Sequence, residues 1–362
     1  MATRYHRLAR ETPAYAWWRL PAAGLLALVL YFMAIIVLVA IALAIYAVRS
    51  GSDGLEDWLS AAGELNLQRL DHFALDMLSL VALIPALLLA VFIAGARPIG
   101  YLSSVTGRLR WGWLGRTAVM SFVVFIVTIG AALAVTEATD PGDVEAPSNI
   151  GLRVLLTIGL ILLLTPFQAA AEEYVFRGYV LQLVGSWTRF AAIPVIVSVP
   201  LFVVGHTYDL WGLVDVGIFG LTAAVLTIRT GGLEAAIAAH TANNVVLFVL
   251  DALGMISATD DSGAGPVDLV PTAVSSVVLL LWVEWAARRR GLARTRDPIP
   301  VPPPAAPVPI QWAPPPAYTP PPAQWSQWAP QPPAPAPAPA VHPNAPDYPG
   351  ELPSGWEARD PV

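Results

Sequence analysis

The sequence predicts an all-α polytopic membrane protein, with about eight transmembrane helices and a disordered, proline-rich C-terminal tail. Three observations carry this prediction. The 362 residues are 56% hydrophobic and 13% charged, with a mean hydropathy of +0.60, whereas a soluble domain is about 25% charged. Apolar runs long enough to cross lipid recur along the chain. The loops between them alternate in charge.

The first run, Pro21 to Val48, exceeds a signal-peptide core of about 7–15 residues and has no small-residue cleavage site behind it, so a retained helix is expected. Further runs follow at about 73–95, 117–137, 151–171, 190–206, 211–229, 232–253 and 267–287. The run at 190–206 is short and holds Pro194 and Pro200. Arg4, Arg7, Arg10 and Arg19 precede the first run. Arg97, Arg108, Arg110 and Arg116 lie in the acid-free loop at 96–116, and Arg288, Arg289 and Arg290 close the last run. The intervening loops are acidic: Asp53, Glu56, Asp57 and Glu64, then Asp140, Asp143 and Glu145, then Asp260, Asp261 and Asp268. The positive-inside rule therefore predicts an even number of crossings of the plasma membrane with both termini cytoplasmic.

This divides the chain into an N-terminal segment (1–20), a membrane domain (21–290) and a tail (291–362). From Pro298 to Val362 there are 24 prolines in 65 residues, and Gln-Trp-Ala-Pro occurs at 311–314 and again at 327–330. Such a stretch lacks the apolar surface for a core and is expected to be extended and polyproline-II-like. It is either a docking segment for a partner that grips proline and tryptophan or a tail with no specific partner. The bilayer is the partner that composition dictates, and no nucleic-acid partner is expected. The chain has no cysteine, which removes disulfides, thiolate metal sites and cysteine nucleophiles.

The candidate site consists of polar groups inside apolar runs. An ionisable group at membrane depth costs about 2.5–3.5 kcal/mol even on lenient scales and is by default functional. Glu172, Glu173 and Arg177 end the fourth run. On a helix, Glu173 and Arg177 share a face in the favoured acid-before-base order, while Glu172 points about 100° away. The spacing suggests Glu173 braced by Arg177 and Glu172 left for chemistry; ordinary charges at a helix end is the alternative. His206 closes the fifth run and could simply cap it. His240 lies well inside the seventh run beside Ala238, Ala239 and Ala242, whose small side chains admit a neighbouring helix. Asn244, one turn on, shares its face with His240, and Asn243 stands beside it. Polar glue between helices and catalysis are both open for this pair. Together, a carboxylate, imidazoles and an amide can activate water and hold an oxyanion. Glu172, His206 and His240 are also the ligand set if a metal such as zinc is used, although no His-Glu-x-x-His run occurs. His6, His72 and His342 fall in terminal or loop segments and are left out.

Glu172-Glu173-x-x-x-Arg177, Phe202-x-x-x-His206 and His240-x-x-x-Asn244, with Phe176-Arg177-Gly178 and Thr230-Gly231-Gly232 flanking them, resemble the three motifs of the CAAX prenyl protease and bacteriocin-processing family of intramembrane endopeptidases. The resemblance covers about residues 150–255. It implies helices enclosing a polar cavity for hydrolysis of a peptide bond in a membrane-associated protein or peptide. It assigns water activation to Glu172 and His206, oxyanion stabilisation to His240 and Asn244, and support to Glu173 and Arg177. Members of the family are described both as zinc-type metalloproteases and as metal-independent glutamate proteases, and the second mechanism is the expectation here. A catalytically silent scaffold, immunity or regulatory protein of the same fold is the competing reading. A proton-relaying transporter is disfavoured by the complete motif set.

Overall fold

The structure is a computed structural model. It describes residues 2–11, 15–60, 67, 69–95, 98–139, 150–258 and 264–297, without side chains at 50–57 and 59–60. The proline-rich tail and most of the acidic loop residues lie outside the described residues.

The helices are α1 (Arg19–Ser60), α2 (Leu70–Val81), α3 (Leu83–Ile93), α4 (Trp111–Thr139), α5 (Leu152–Glu173), α6 (Leu181–Gly185), α7 (Ala192–Val203), α8 (Leu210–Thr230), α9 (Glu234–Ala252) and α10 (Leu269–Arg289). Tyr174–Val180 forms a π-helical segment that joins α5 to α6. Helices α2 and α3 make one path broken at Ala82, because Pro85 offers no N–H for the carbonyl of Val81. His72, expected in a loop, is buried in the first turn of α2 against Trp58.

Seven helical paths among the described residues are long and apolar enough to cross a membrane. The eighth expected span is different. Helix α7 has 12 residues, about 18 Å of rise against a hydrocarbon core of about 30 Å. It therefore makes a half-length pass, and the chain turns at Val204 and Gly205 before α8 begins.

The two ends of the helical domain meet on one face. Thr3–Arg4 (β1) pairs antiparallel with Thr295–Arg296 (β2), Ser104 bridges to Gly232, and Arg110 donates to the carbonyl of Ala293. The N-terminal segment, the loop at 98–110, the turn at 230–234 and the stretch after α10 thus share one side. That arrangement fits an even number of passes between Thr3–Arg4 and Thr295–Arg296, with α7 as one of them. Residues 291–297, assigned to the tail by composition, belong to the helical domain.

Several contacts fix this face. Glu234, fully buried at the start of α9, accepts a two-pronged ion pair from Arg110 at 2.8 and 2.6 Å. Gly231 caps α8 at φ +70, a left-handed turn that glycine takes without strain. The N-terminal segment is also packed in: Tyr5, His6 and Leu8 are buried, and the Tyr5 hydroxyl donates to the Leu102 carbonyl.

Burial holds the His6 imidazole below its usual 6.5, with Arg4 and Arg7 adding repulsion. A depressed histidine favours docking while it is neutral. As pH falls below about 6.5 the undocked form binds the proton first, and docking weakens. We expect residues 2–11 to lose hydrogen-exchange protection, corrected for intrinsic rate, between pH 7.5 and 5.5. His6→Gln should flatten that dependence. Equal protection at both pH values would refute it.

Candidate active site

The glutamates reach the middle of the structure because α5 does not stop at them. The helical path runs on through the π segment to Gly185, well past the end of the fourth apolar run. Thirteen residues at about 1.5 Å each set Glu172 about 20 Å from that end. His240 stands six residues into α9, about 9 Å, and Phe202 ten residues into α7, about 15 Å. These depths spread over about 10 Å, and the side chains close the difference, since His240 reaches both glutamates. The shortness of α7 removes the conflict that a full span at 190–206 would create by carrying His206 to the far side.

Helix α9 is the central post, packed against α4, α5 and α8. Its buried Ala235, Ala236, Ala238, Ala239 and Ala242 let those neighbours approach closely. His240, 3% exposed, is thereby brought onto both glutamates. Its Nδ1 lies 2.9 Å from Glu173 Oε1 and its Nε2 3.6 Å from Glu172 Oε2.

Glu173 and Arg177 are fully buried and paired at 2.9 Å, the contact that their spacing suggests. Arg177 also donates to the carbonyl of Gly220 at 3.2 Å and stacks over Phe202, 4.1 Å from the ring centre. A Cβ at Gly220 would lie 3.1 Å from Phe202 and 3.2 Å from Arg177, so glycine lets α8 close over the guanidinium. The intervening π segment widens the helix, as such turns often do at functional sites. Ser198 of α7 donates to the Phe176 carbonyl within it at 2.8 Å.

Glu172 is held differently. Gln168 Nε2 donates to its Oε1 at 2.8 Å, while Oε2 has no hydrogen-bond partner among the described residues. Gln168 Oε1 in turn accepts from Asn244 Nδ2 at 3.2 Å, and Asn243 donates to Asn244 at 3.1 Å. One glutamine therefore ties the first and third motifs together. Sequence reading passed over Gln168, although its position four residues before Glu172, on the same helical face, was a usable signal.

His206 is half-buried and touches the cluster through Phe202. The two rings lie 4.7 Å apart, Phe202 and His240 5.9 Å apart, and His206 Nδ1 sits 2.9 Å from the Phe202 carbonyl. Phe202, fully enclosed, is the hub between the second motif, Arg177 and His240. Glu172, Gln168 and Asn244 thus form one hydrogen-bonded chain and Glu173, Arg177 and His240 another; the two meet where His240 Nε2 approaches Glu172 Oε2 at 3.6 Å, and His206 stands at their edge.

A zinc ion would need three or four convergent donors. Among the described residues no three His, Asp or Glu side chains gather closely enough to hold a metal. His240 Nδ1 is occupied by Glu173, and His206 stands across an aromatic ring. The donor set among the described residues does not fit a zinc centre in this geometry.

Residues 154–246 match the model of a protein family described as type II CAAX prenyl endopeptidase, Rce1-like. This bears out the resemblance read from the three motifs. The uncharacterized protein YyaK of Bacillus subtilis is 26% identical over 171 residues, covering 45% of this chain and 56% of YyaK. The chain thus spans a little over half the length of that curated relative. No solved structure matches.

Proposed function

We propose that the buried cluster hydrolyses a peptide bond in a membrane-associated protein or peptide. The observation that carries this is Glu172. One oxygen is fixed by Gln168, the other has no hydrogen-bond partner among the described residues, and His240 Nε2 faces it at 3.6 Å, inside the segment that matches the endopeptidase family.

In this reading Glu172 takes a proton from water as the oxygen attacks the scissile carbonyl, and later returns it to the departing amine. His240 and Asn244 donate to the developing oxyanion. For His240 this role requires a proton on Nε2, with Nδ1–H donated to Glu173. His206 assists the water from the edge of the cluster. Glu173 and Arg177 orient His240 and do not touch the reacting atoms. The arginine-rich face is assigned to the cytoplasm by the alternation of loop charge. Prenylated CAAX proteins, named in the family's description, are one substrate class that meets these requirements.

The test is a comparison of protein termini in membranes from cells carrying wild-type protein or His240→Ala, matched for abundance. New termini that appear only with wild type, and whose precursors co-purify with Glu172→Gln, are the expected result. Identical termini in both strains would favour the silent scaffold instead.

A further inference from the structure

Away from the glutamates, a groove of about 860 Å³ lies between the start of α4 and the end of α10. Gly115 opens its floor, Trp282 and Trp285 form a wall, and Arg116, Arg289 and Arg290 stand around it. We propose that this groove binds an anionic phospholipid, with the phosphate among the three guanidiniums and the acyl chains running down α4.

Charge complementarity argues for this occupant. Among the described residues no acid pairs with Arg116, Arg289 or Arg290. The one acid near them on α10, Glu284, is already shared by Arg229, Arg288 and Arg294. The site therefore has cationic groups in excess.

The apolar side fits the same ligand. Trp285 is 51% exposed with the Arg289 guanidinium 4.7 Å from its ring centre. Trp282 is stacked on Trp113, and Val119, Val123 and Ile126 remain exposed further along α4. Tryptophan beside arginine is the composition of the membrane–water boundary, and basic pockets between transmembrane helices suit lipid phosphates. A side chain at Gly115 would meet nothing within 4 Å, so the floor is open. A soluble phosphate would use the arginines and leave the tryptophans and the apolar track without a role.

The test is native mass spectrometry of the delipidated full-length protein with phosphatidylglycerol or phosphatidylcholine added. Phosphatidylglycerol should bind at least fivefold more tightly. Each of Arg116→Gln, Arg289→Gln and Arg290→Gln should weaken it by about fivefold, and Trp285→Ala should weaken it as well. Arg153→Gln, on the exposed first turn of α5, should leave it unchanged. These are surface positions, and matched melting in neutral detergent confirms that each variant is folded. Equal binding of both lipids, wild-type affinity in the triple arginine variant, or equal loss in Arg153→Gln would overturn the proposal. Displacement of the lipid by millimolar inorganic phosphate would overturn it in favour of a free-phosphate site.

Discussion

Glu172→Gln is expected to lower peptide-bond hydrolysis by about 10²–10⁴-fold, the contribution of a positioned general base, while the protein folds and melts like wild type. Glutamine has nearly the shape of glutamate, and its carbonyl can still accept the bond that Gln168 now donates to Glu172 Oε1 at 2.8 Å. What disappears is the proton acceptor at Oε2, the oxygen that has no hydrogen-bond partner among the described residues. Deleting the base in this way separates chemistry from architecture more cleanly than alanine, which would also release Gln168 and through it Asn244. The measurement is the single-turnover rate in proteoliposomes with a substrate found by the terminus comparison. A rate within about threefold of wild type would remove Glu172 from the role of base.

Much of the fold was legible because lipid imposes a simple code. Seven of eight apolar runs became helical paths of spanning length, and the alternation of loop charge agrees with the pairing of Thr3–Arg4 against Thr295–Arg296. Spacing on a single helix was equally readable, as Glu173 with Arg177 shows. Reading failed where the determinant was distant or where a local break in the helix left no hydropathy signal. The ion pair of Arg110 with Glu234 joins residues 124 positions apart, and nothing in either neighbourhood names the other. Hydropathy could not tell the half-length α7 from a full span, because its prolines and the turn at Val204–Gly205 set its length. The π segment left no mark in a run of good helix formers. The docking of residues 2–11 depends on surfaces supplied by α6 and the loop at 98–107, assembled only in three dimensions.

The largest effect on the fold is expected from Arg177→Met. Arg177 and Glu173 are both fully buried, and removing one partner of such a pair strands the other charge at a cost of about 3–5 kcal/mol. Glu173 would keep only His240 as a partner, so its charge would have to be accommodated by the imidazole or neutralised. Methionine still fills the space beneath Phe202, which confines the loss to the charge, its hydrogen bonds and the stacking over the ring. The double variant Glu173→Gln/Arg177→Met removes both charges and should recover much of that stability, because a neutral pair no longer strands a buried ion. Folded fraction after heating in detergent, followed by size-exclusion chromatography, reads both. Activity should not recover in parallel. The glutamine amide can either accept from His240 Nδ1 or donate to it, so it no longer fixes which ring nitrogen faces the oxyanion. A double variant that is stable yet slow would make the pair a positioning device for His240 as well as a structural brace. If Arg177→Met melts like wild type, the guanidinium contributes nothing to the buried core, and the brace assigned to it fails.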